Sequence, residues 1–186
     1  MGGVNAVFQQ LQEISFDSLI DVGCGDGRLV SELQSSFGDN RKLLGIDYDE
    51  RAIALAAALN PGADFQVVDL ISSDQNLNGP FDVVTAIEVL EHIPLENLSQ
   101  FIRGIANLQE SGGALLVTVP HQNKKCAPKH YQHFTSSSLE GYLSPHYALE
   151  EVCFLDKRSR TFSRLMSYVL QNRFFILNNR TVLNFL

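Results

Sequence analysis

The sequence predicts an α/β fold, a mainly parallel sheet with helices on both faces, and three observations lead there. Apolar runs of strand length alternate with segments of helical periodicity from residue 18 to residue 119. The 186 residues, 45% of them hydrophobic, suffice for one domain around a single core. A glycine-rich stretch, Asp21-Val22-Gly23-Cys24-Gly25-Asp26-Gly27, joins the first strand to the helix that follows it. Strands and helices in strict alternation pack as a parallel sheet covered on both sides.

Each element has its own warrant. Ser18-Leu19-Ile20 running into Val22 predicts a buried strand over 18–22, and Arg28-Leu29-Val30-Ser31-Glu32-Leu33 has the spacing of a helix over 27–37. Leu43-Leu44-Gly45-Ile46 predicts a strand over 42–46, after which Asp49 stands as N-cap of an Ala-rich helix over 50–59. Phe65-Gln66-Val67-Val68 reads as a strand over 64–68, followed by a helix near 72–77. Asp82-Val83-Val84-Thr85-Ala86 forms a strand over 81–86, a helix follows over 95–109, and Gly113 to Val119 makes the fifth strand. Thr135 or a serine after it caps a last helix running to about Leu143.

Composition excludes several classes. The apolar runs fall far short of the roughly 20 residues a membrane span needs, and Met1 to Glu13 carries no Lys or Arg to flank a secretory signal. A cytoplasmic protein is expected. Cys24, Cys126 and Cys153 form no C-x-x-C pair, so they read as reduced thiols, with Cys24 a small filler inside the glycine turn. Residues 1–156 hold 8 Lys or Arg against all 21 acids, a balance of −13, whereas residues 157–186 hold six cations and no acid. That basic, aromatic segment either packs back on the acidic body or meets an anionic partner. An RNA acceptor fits poorly with such a body, because nucleic-acid binding rests on clustered cations.

The glycines predict a ligand site at a strand-to-helix turn, where a missing Cβ lets a ligand approach the backbone. Their spacing is G-x-G-x-G rather than the G-x-G-x-x-G of dinucleotide sites, and Asp21 and Asp26 would repel a pyrophosphate. Acids there suit a cationic nucleoside. On this motif, with Asp47, Asp69 and the Glu88–His92 stretch in order behind it, the chain resembles the class I S-adenosylmethionine-dependent methyltransferases, in particular the small-molecule enzymes of the methyltransferase type 11/12 group. The resemblance implies a Rossmann-like, doubly wound sheet of seven strands in the order 3-2-1-4-5-7-6, strand 7 antiparallel, with a core over about 17–155. Tyr147 to Leu155 would then be one arm of the terminal hairpin. It further implies a donor site of Asp21, Gly23, Cys24, Gly25 and Gly27, with Asp47 on the ribose hydroxyls, Tyr48 beside it, Asp69 and Leu70 on the adenine, and Glu88 at the rim.

Chemistry on the acceptor side is expected from Ile87-Glu88-Val89-Leu90-Glu91-His92-Ile93. On a helical turn, Glu88, Glu91 and His92 stand at i, i+3 and i+4 and share a face. Two carboxylates that close need compensation. One solution makes His92 a general base held by a glutamate. Another binds a divalent metal; a third leaves Glu91 and His92 to cap the next helix. E-x-x-E-H is shared with Hen-type small-RNA 2′-O-methyltransferases, which use it with a later histidine as a metal site, so that resemblance implies Glu88, Glu91, His92 and His133 as ligands. The stretch is also similar to ubiquinone-pathway O-methyltransferases, and Phe134-Thr135-Ser136 onward departs from the Hen pattern. His121, His130 and His133 lie in loops past the fifth strand, where such folds cover the acceptor pocket. The favoured reading is methyl transfer from S-adenosylmethionine to an oxygen, or less favourably a nitrogen, of a small metabolite. Catalytic candidates are Glu88, Glu91, His92, His121 and His133, with no metal favoured. The competing readings are the Hen-type RNA enzyme, a nicotinamide-dependent oxidoreductase and a silent methyltransferase-like module; a homodimer is compatible with all of them.

Overall fold

The computed structural model describes residues 3–38, 40–72, 77, 79–123 and 127–154. Strands β1 (Ser18–Val22), β2 (Lys42–Asp47), β3 (Asp64–Val67), β4 (Phe81–Ile87) and β5 (Gln109–Thr118) form one sheet in the order β3-β2-β1-β4-β5. All four pairings are parallel. Helices α1 (Gly3–Leu11), α2 (Arg28–Phe37), α3 (Glu50–Leu59), α4 (Leu95–Asn107) and α5 (Ser136–Leu143) surround it.

The two faces of the central strands explain the layers. Side chains alternate along a strand, so Leu19 and Val83 point to one side and Ile20 and Val84 to the other. Leu19 and Val83 pack with Val7 and Leu11 of α1 and Leu29, Val30 and Leu33 of α2. Ile20 and Val84 pack with Leu98, Phe101, Ile102 and Ile105 of α4. β1 and β4 are therefore buried on both faces and read as nearly continuous apolar runs, as parallel strands do. Asp49 accepts from the Arg51 amide at 2.9 Å to cap α3, as expected. Thr135 caps α5 in a reciprocal box with Ser138.

Sequence and structure differ at the edges. α1 was not anticipated, although its Val7 and Leu11 belong to the core. β5 starts at Gln109, four residues early, because a register shift opposite Phe81 and Val83 lets the strand resume pairing before the glycines. Gly113 sits so close to β4 that a Cβ there would lie 2.6 Å from the Asp82 carbonyl oxygen. Tyr147 to Phe154 forms no strand, so the described sheet has five strands rather than seven. Leu155, most of the helix expected near 72–77, Cys126 and the basic segment 157–186 lie outside the described residues. Among the described residues, no helix is long and apolar enough to cross a membrane.

From β1 the chain winds outward through β2 to β3, then returns to β4 on the other side of β1 and continues to β5. The winding direction reverses between β1 and β4. In open α/β sheets the crevice beyond the carboxyl ends at such a switch is where ligands bind.

Candidate active site

The glycine turn is fixed from behind. The amides of Gly23 and Cys24 both donate to the Ile46 carbonyl, at 2.8 and 3.0 Å, which ties the turn to β2. Gly23, Gly25 and Gly27 have φ of 69°, 55° and 76°, a region that L side chains rarely occupy. Packing separates their roles. A Cβ on Gly23 would lie 2.5 Å from Val89 and one on Gly27 2.5 Å from Phe65, whereas one on Gly25 meets nothing within 4 Å. Gly23 and Gly27 are close-packing positions, and Gly25 borders open space.

Asp47 closes that space. Its Oδ2 accepts from the Gly25 amide at 3.2 Å and its Oδ1 from the Asp49 amide at 3.0 Å. Tyr48 beside it is 77% exposed. The Val68 amide donates to the Asp47 carbonyl at 2.9 Å, bringing the end of β3 alongside. There Asp69 Oδ1 accepts from the Ile71 amide at 2.9 Å, and Leu70 sends its side chain into the core.

Asp21 lies beneath the turn rather than on its surface. It is buried, and the Thr85 hydroxyl donates to its Oδ1 at 2.6 Å. Burial pushes its carboxyl up to about 7; the Thr85 bond opposes that rise and the nearby charge of Asp47 adds to it. The acid of the first motif thus pins the turn to β4, and Asp47 and the exposed Asp69 carry the surface charge of the cradle. Cys24 is buried, and desolvation, with the charges of Asp21 and Asp47, pushes its thiol up to about 12. It stays protonated and fills space, as expected.

Beyond β4 the backbone departs from the expected helical face. Glu88 has φ 55°, the one non-glycine residue at positive φ among those described. Its amide donates to the Thr118 carbonyl at 2.9 Å, and the Thr118 hydroxyl donates to its Oε1 at 3.3 Å. Only Leu90–His92 forms a turn, of the 3-10 type, and Glu88 stands outside it. Non-glycine residues in this strained region cluster at functional sites.

Three groups meet here: ligand atoms of Glu91, His92 and His130 lie within 4.8 Å of one another. Glu91 is fully buried, and neither of its carboxylate oxygens has a hydrogen-bond partner. Desolvation raises its pKa to about 7; its own backbone amide, close by but outside hydrogen-bonding geometry, draws it back, Glu88 raises it and His92 lowers it. His92 Nδ1 lies 3.0 Å from the Lys129 carbonyl, which can only accept, so this nitrogen carries the proton. His130 Nδ1 lies 2.8 Å from His133 Nε2. Desolvation first, then His92 and His133, hold His130 below the usual imidazole range. The loop carrying these histidines is clamped onto the turn: the Tyr131 amide donates to the Glu91 carbonyl at 2.8 Å, and Gln132 Nε2 lies 2.9 Å from the carbonyls of Leu90 and Ile93.

Of the expected catalytic residues, Glu91 and His92 come together with His130, and His133 adjoins them through His130. Glu88 is turned to Thr118. His121 is engaged elsewhere, its Nδ1 accepting from the Asn123 amide at 3.2 Å and its ring edge-on to Phe154. Sequence reasoning missed the roles of Thr85, Val89, Thr118 and Gln132. Only the H-x-x-H spacing of His130 and His133 signalled that loop.

Residues 20–115, more than half of the chain, match the family described as the methyltransferase domain. A ubiquinone biosynthesis O-methyltransferase of Dechloromonas aromatica is 34% identical over 111 residues, covering 58% of this chain and 46% of that protein. The chain spans less than half the length of such curated relatives. A solved structure of a putative methyltransferase from Bacillus halodurans superposes with a TM-score of 0.67 at 18% identity, covering 82% of this chain and 72% of that one. Magnesium protoporphyrin IX methyltransferase from Synechocystis, solved with bound SAH, gives a TM-score of 0.59 at 22% identity over 77% of this chain and 70% of that one. With its switch point and glycine turn, this chain belongs to the methyltransferase-domain family and has the class I S-adenosylmethionine-dependent methyltransferase fold.

Proposed function

We propose that this chain transfers a methyl group from S-adenosylmethionine to an oxygen of a small metabolite. One observation carries the reading: the open space over Gly25 lies against a carboxylate, Asp47, whose two oxygens are each held by a backbone amide. Each oxygen retains a lone pair for a ribose hydroxyl, and such charge-assisted hydrogen bonds are the stronger kind. Asp69 and the Leu70 backbone would receive the adenine, with Tyr48 beside the ribose. The positively charged sulfonium suits an acidic crevice, whereas a pyrophosphate would be repelled, which weighs against a nicotinamide cofactor. The names of the curated relatives support oxygen as the atom methylated.

The reaction is an in-line displacement. A lone pair of the acceptor oxygen forms the new C–O bond as the C–S bond breaks, S-adenosylhomocysteine leaves, and the hydroxyl proton passes to a base. With Nδ1 committed to Lys129, His92 presents Nε2 as that base in the metal-free chain. Alignment of nucleophile and methyl carbon supplies much of the rate, since effective molarities of well-oriented pairs reach about 10⁵ M or more. An RNA acceptor is disfavoured by the 8 cations against 21 acids of residues 1–156.

Calorimetry with S-adenosylhomocysteine on wild type and Asp47→Ala tests the donor half. Equal affinities would refute the cofactor assignment. A panel of phenols and hydroxylated acids, assayed with the labelled donor, tests the acceptor half; donor binding without turnover on any of them would favour a silent module.

A further inference from the structure

We infer, on the methyl-transfer reading, that Asp21 is the residue that discriminates the charged donor from its neutral by-product: it holds a proton in the donor-free chain and releases it when the sulfonium arrives. Three acidic groups crowd the glycine turn. Asp21 lies beneath it on β1, level with Gly45 of β2 and Thr85 of β4. Asp47 reaches the Gly25 amide from the end of β2. The turn itself carries the Cys24 thiol, whose ionisation both carboxylates oppose. From β4 the group that faces Asp21 is the uncharged Thr85 hydroxyl.

Among the described residues, neither Asp21 nor Asp47 has an ion-pair partner. Two carboxylates that interact across a buried site keep one proton between them unless a cation arrives. Asp21 is placed to hold it, being 3% exposed. Burial raises its carboxyl to about 7, against the Thr85 bond and with the help of Asp47.

Its hydrogen-bond partner serves both states. Thr85 Oγ1 lies 2.6 Å from Asp21 Oδ1 and 3.5 Å from the Ile20 carbonyl. A hydroxyl has one proton to donate and lone pairs with which to accept. Facing an ionised Asp21, Thr85 donates to the carboxylate. Facing a protonated one, it accepts from the carboxyl and turns its own proton to Ile20, so the charge can change with the turn in place.

Donor and by-product differ in the charge on sulfur. A sulfonium in the crevice favours ionised Asp21, and the proton leaves to solvent. Once the C–S bond has broken the sulfur is neutral, Asp21 takes a proton back, and S-adenosylhomocysteine loses that attraction.

Calorimetry at pH 6, repeated in buffers of different ionisation enthalpy, counts the protons released on binding. S-adenosylmethionine should release up to about one, and S-adenosylhomocysteine fewer. The ratio of their affinities, donor over by-product, should rise roughly tenfold from pH 5 to pH 7.5, the scale of one unit-charge interaction at a protein-like dielectric. Asp21→Asn should abolish both effects. Thr85→Val should move the midpoint of the profile up by about one pH unit or more, because ionised Asp21 loses its hydrogen bond. Carbon-13 titration of the aspartate carboxyls in the wild-type chain, with and without the donor, reads the same proton without a substitution. Glu91, the other carboxyl raised to about 7, and His92 are unchanged in both variants. Proton release that persists in Asp21→Asn therefore comes from elsewhere and overturns the inference, as does equal release with both nucleosides. A chain that binds neither nucleoside overturns the donor assignment as well; one that binds both without releasing a proton overturns this inference alone.

Discussion

The two halves of the crevice are built on opposite principles. On the donor side, under β1, β2 and β3, the turn and the acids are held by backbone amides: Asp47 by Gly25 and Asp49, Asp69 by Ile71, the turn itself by Ile46. On the acceptor side, beyond β4 and β5, the groups are side chains in tension, with Glu88 at positive φ and Glu91 buried without a partner. One half is thus preorganised by its backbone, while the other holds a buried carboxylate that the fold leaves unsatisfied.

The largest effect is expected at Asp47. Asp47→Ala removes the acceptor that both amides use and that is proposed for the ribose, and donor affinity should fall by roughly 100-fold or more, since a hydrogen bond to a charged group is worth about 1.5–3 kcal/mol. Calorimetry reads this directly, and a fall of less than about tenfold would mean that the backbone alone makes the cradle.

Asp21 comes next. Its carboxyl, near 3.8 when unfolded and about 7 when folded, binds a proton more tightly in the native chain. The folded state therefore holds more protons between those values, and stability from this group is full below about 4 and lost as pH rises toward 7. Asp21→Asn should remove that fall, gaining on wild type by an amount on the order of a few kcal/mol between pH 4 and 8. Denaturant unfolding at both values measures it; parallel pH profiles would disprove a buried, protonated Asp21.

The glycines sharpen the contrast between fold and ligand. Gly27→Ala adds a clash with Phe65 to an unfavourable φ and should cost about 2 kcal/mol of stability. Gly25→Ala meets no atom, so it should cost only about 1 kcal/mol in folding while blocking the donor. Thermal unfolding alongside calorimetry separates the two outcomes.

The smallest effect belongs to the acceptor side. Glu91→Leu replaces an unpartnered buried carboxylate by an apolar side chain and should stabilise the chain by about 1 kcal/mol or more, read by denaturant unfolding. A destabilised variant would show that Glu91 supports the fold rather than the site.

What was legible in the sequence follows the same division. β1 through β4 and α2, α3 and α5 could be placed within a residue or two, because apolar period and caps are local. Asp47 and Asp69 were also legible as strand-end acids. The turn over Leu90–His92 was not, because nothing local signals that Glu88 adopts a left-handed backbone held by Thr118, thirty residues away. Nor could spacing tell which of His130 and His133 lies beside Glu91 and His92, since that depends on how the loop is clamped onto the turn by Tyr131 and Gln132. α1 was missed because its core-facing residues find their partners in elements distant in sequence, α2, β1 and β4 among them.

The contact between Gly23 and Val89 joins the halves. A Cβ at position 23 would push Val89 and, with it, the segment bearing Glu91 and His92. The glycine turn and the segment over residues 88–92 are thus packed together through this contact. Retargeting this scaffold to a new substrate is better begun at the loop rim near His121 and Tyr131 than at the segment between residues 88 and 92.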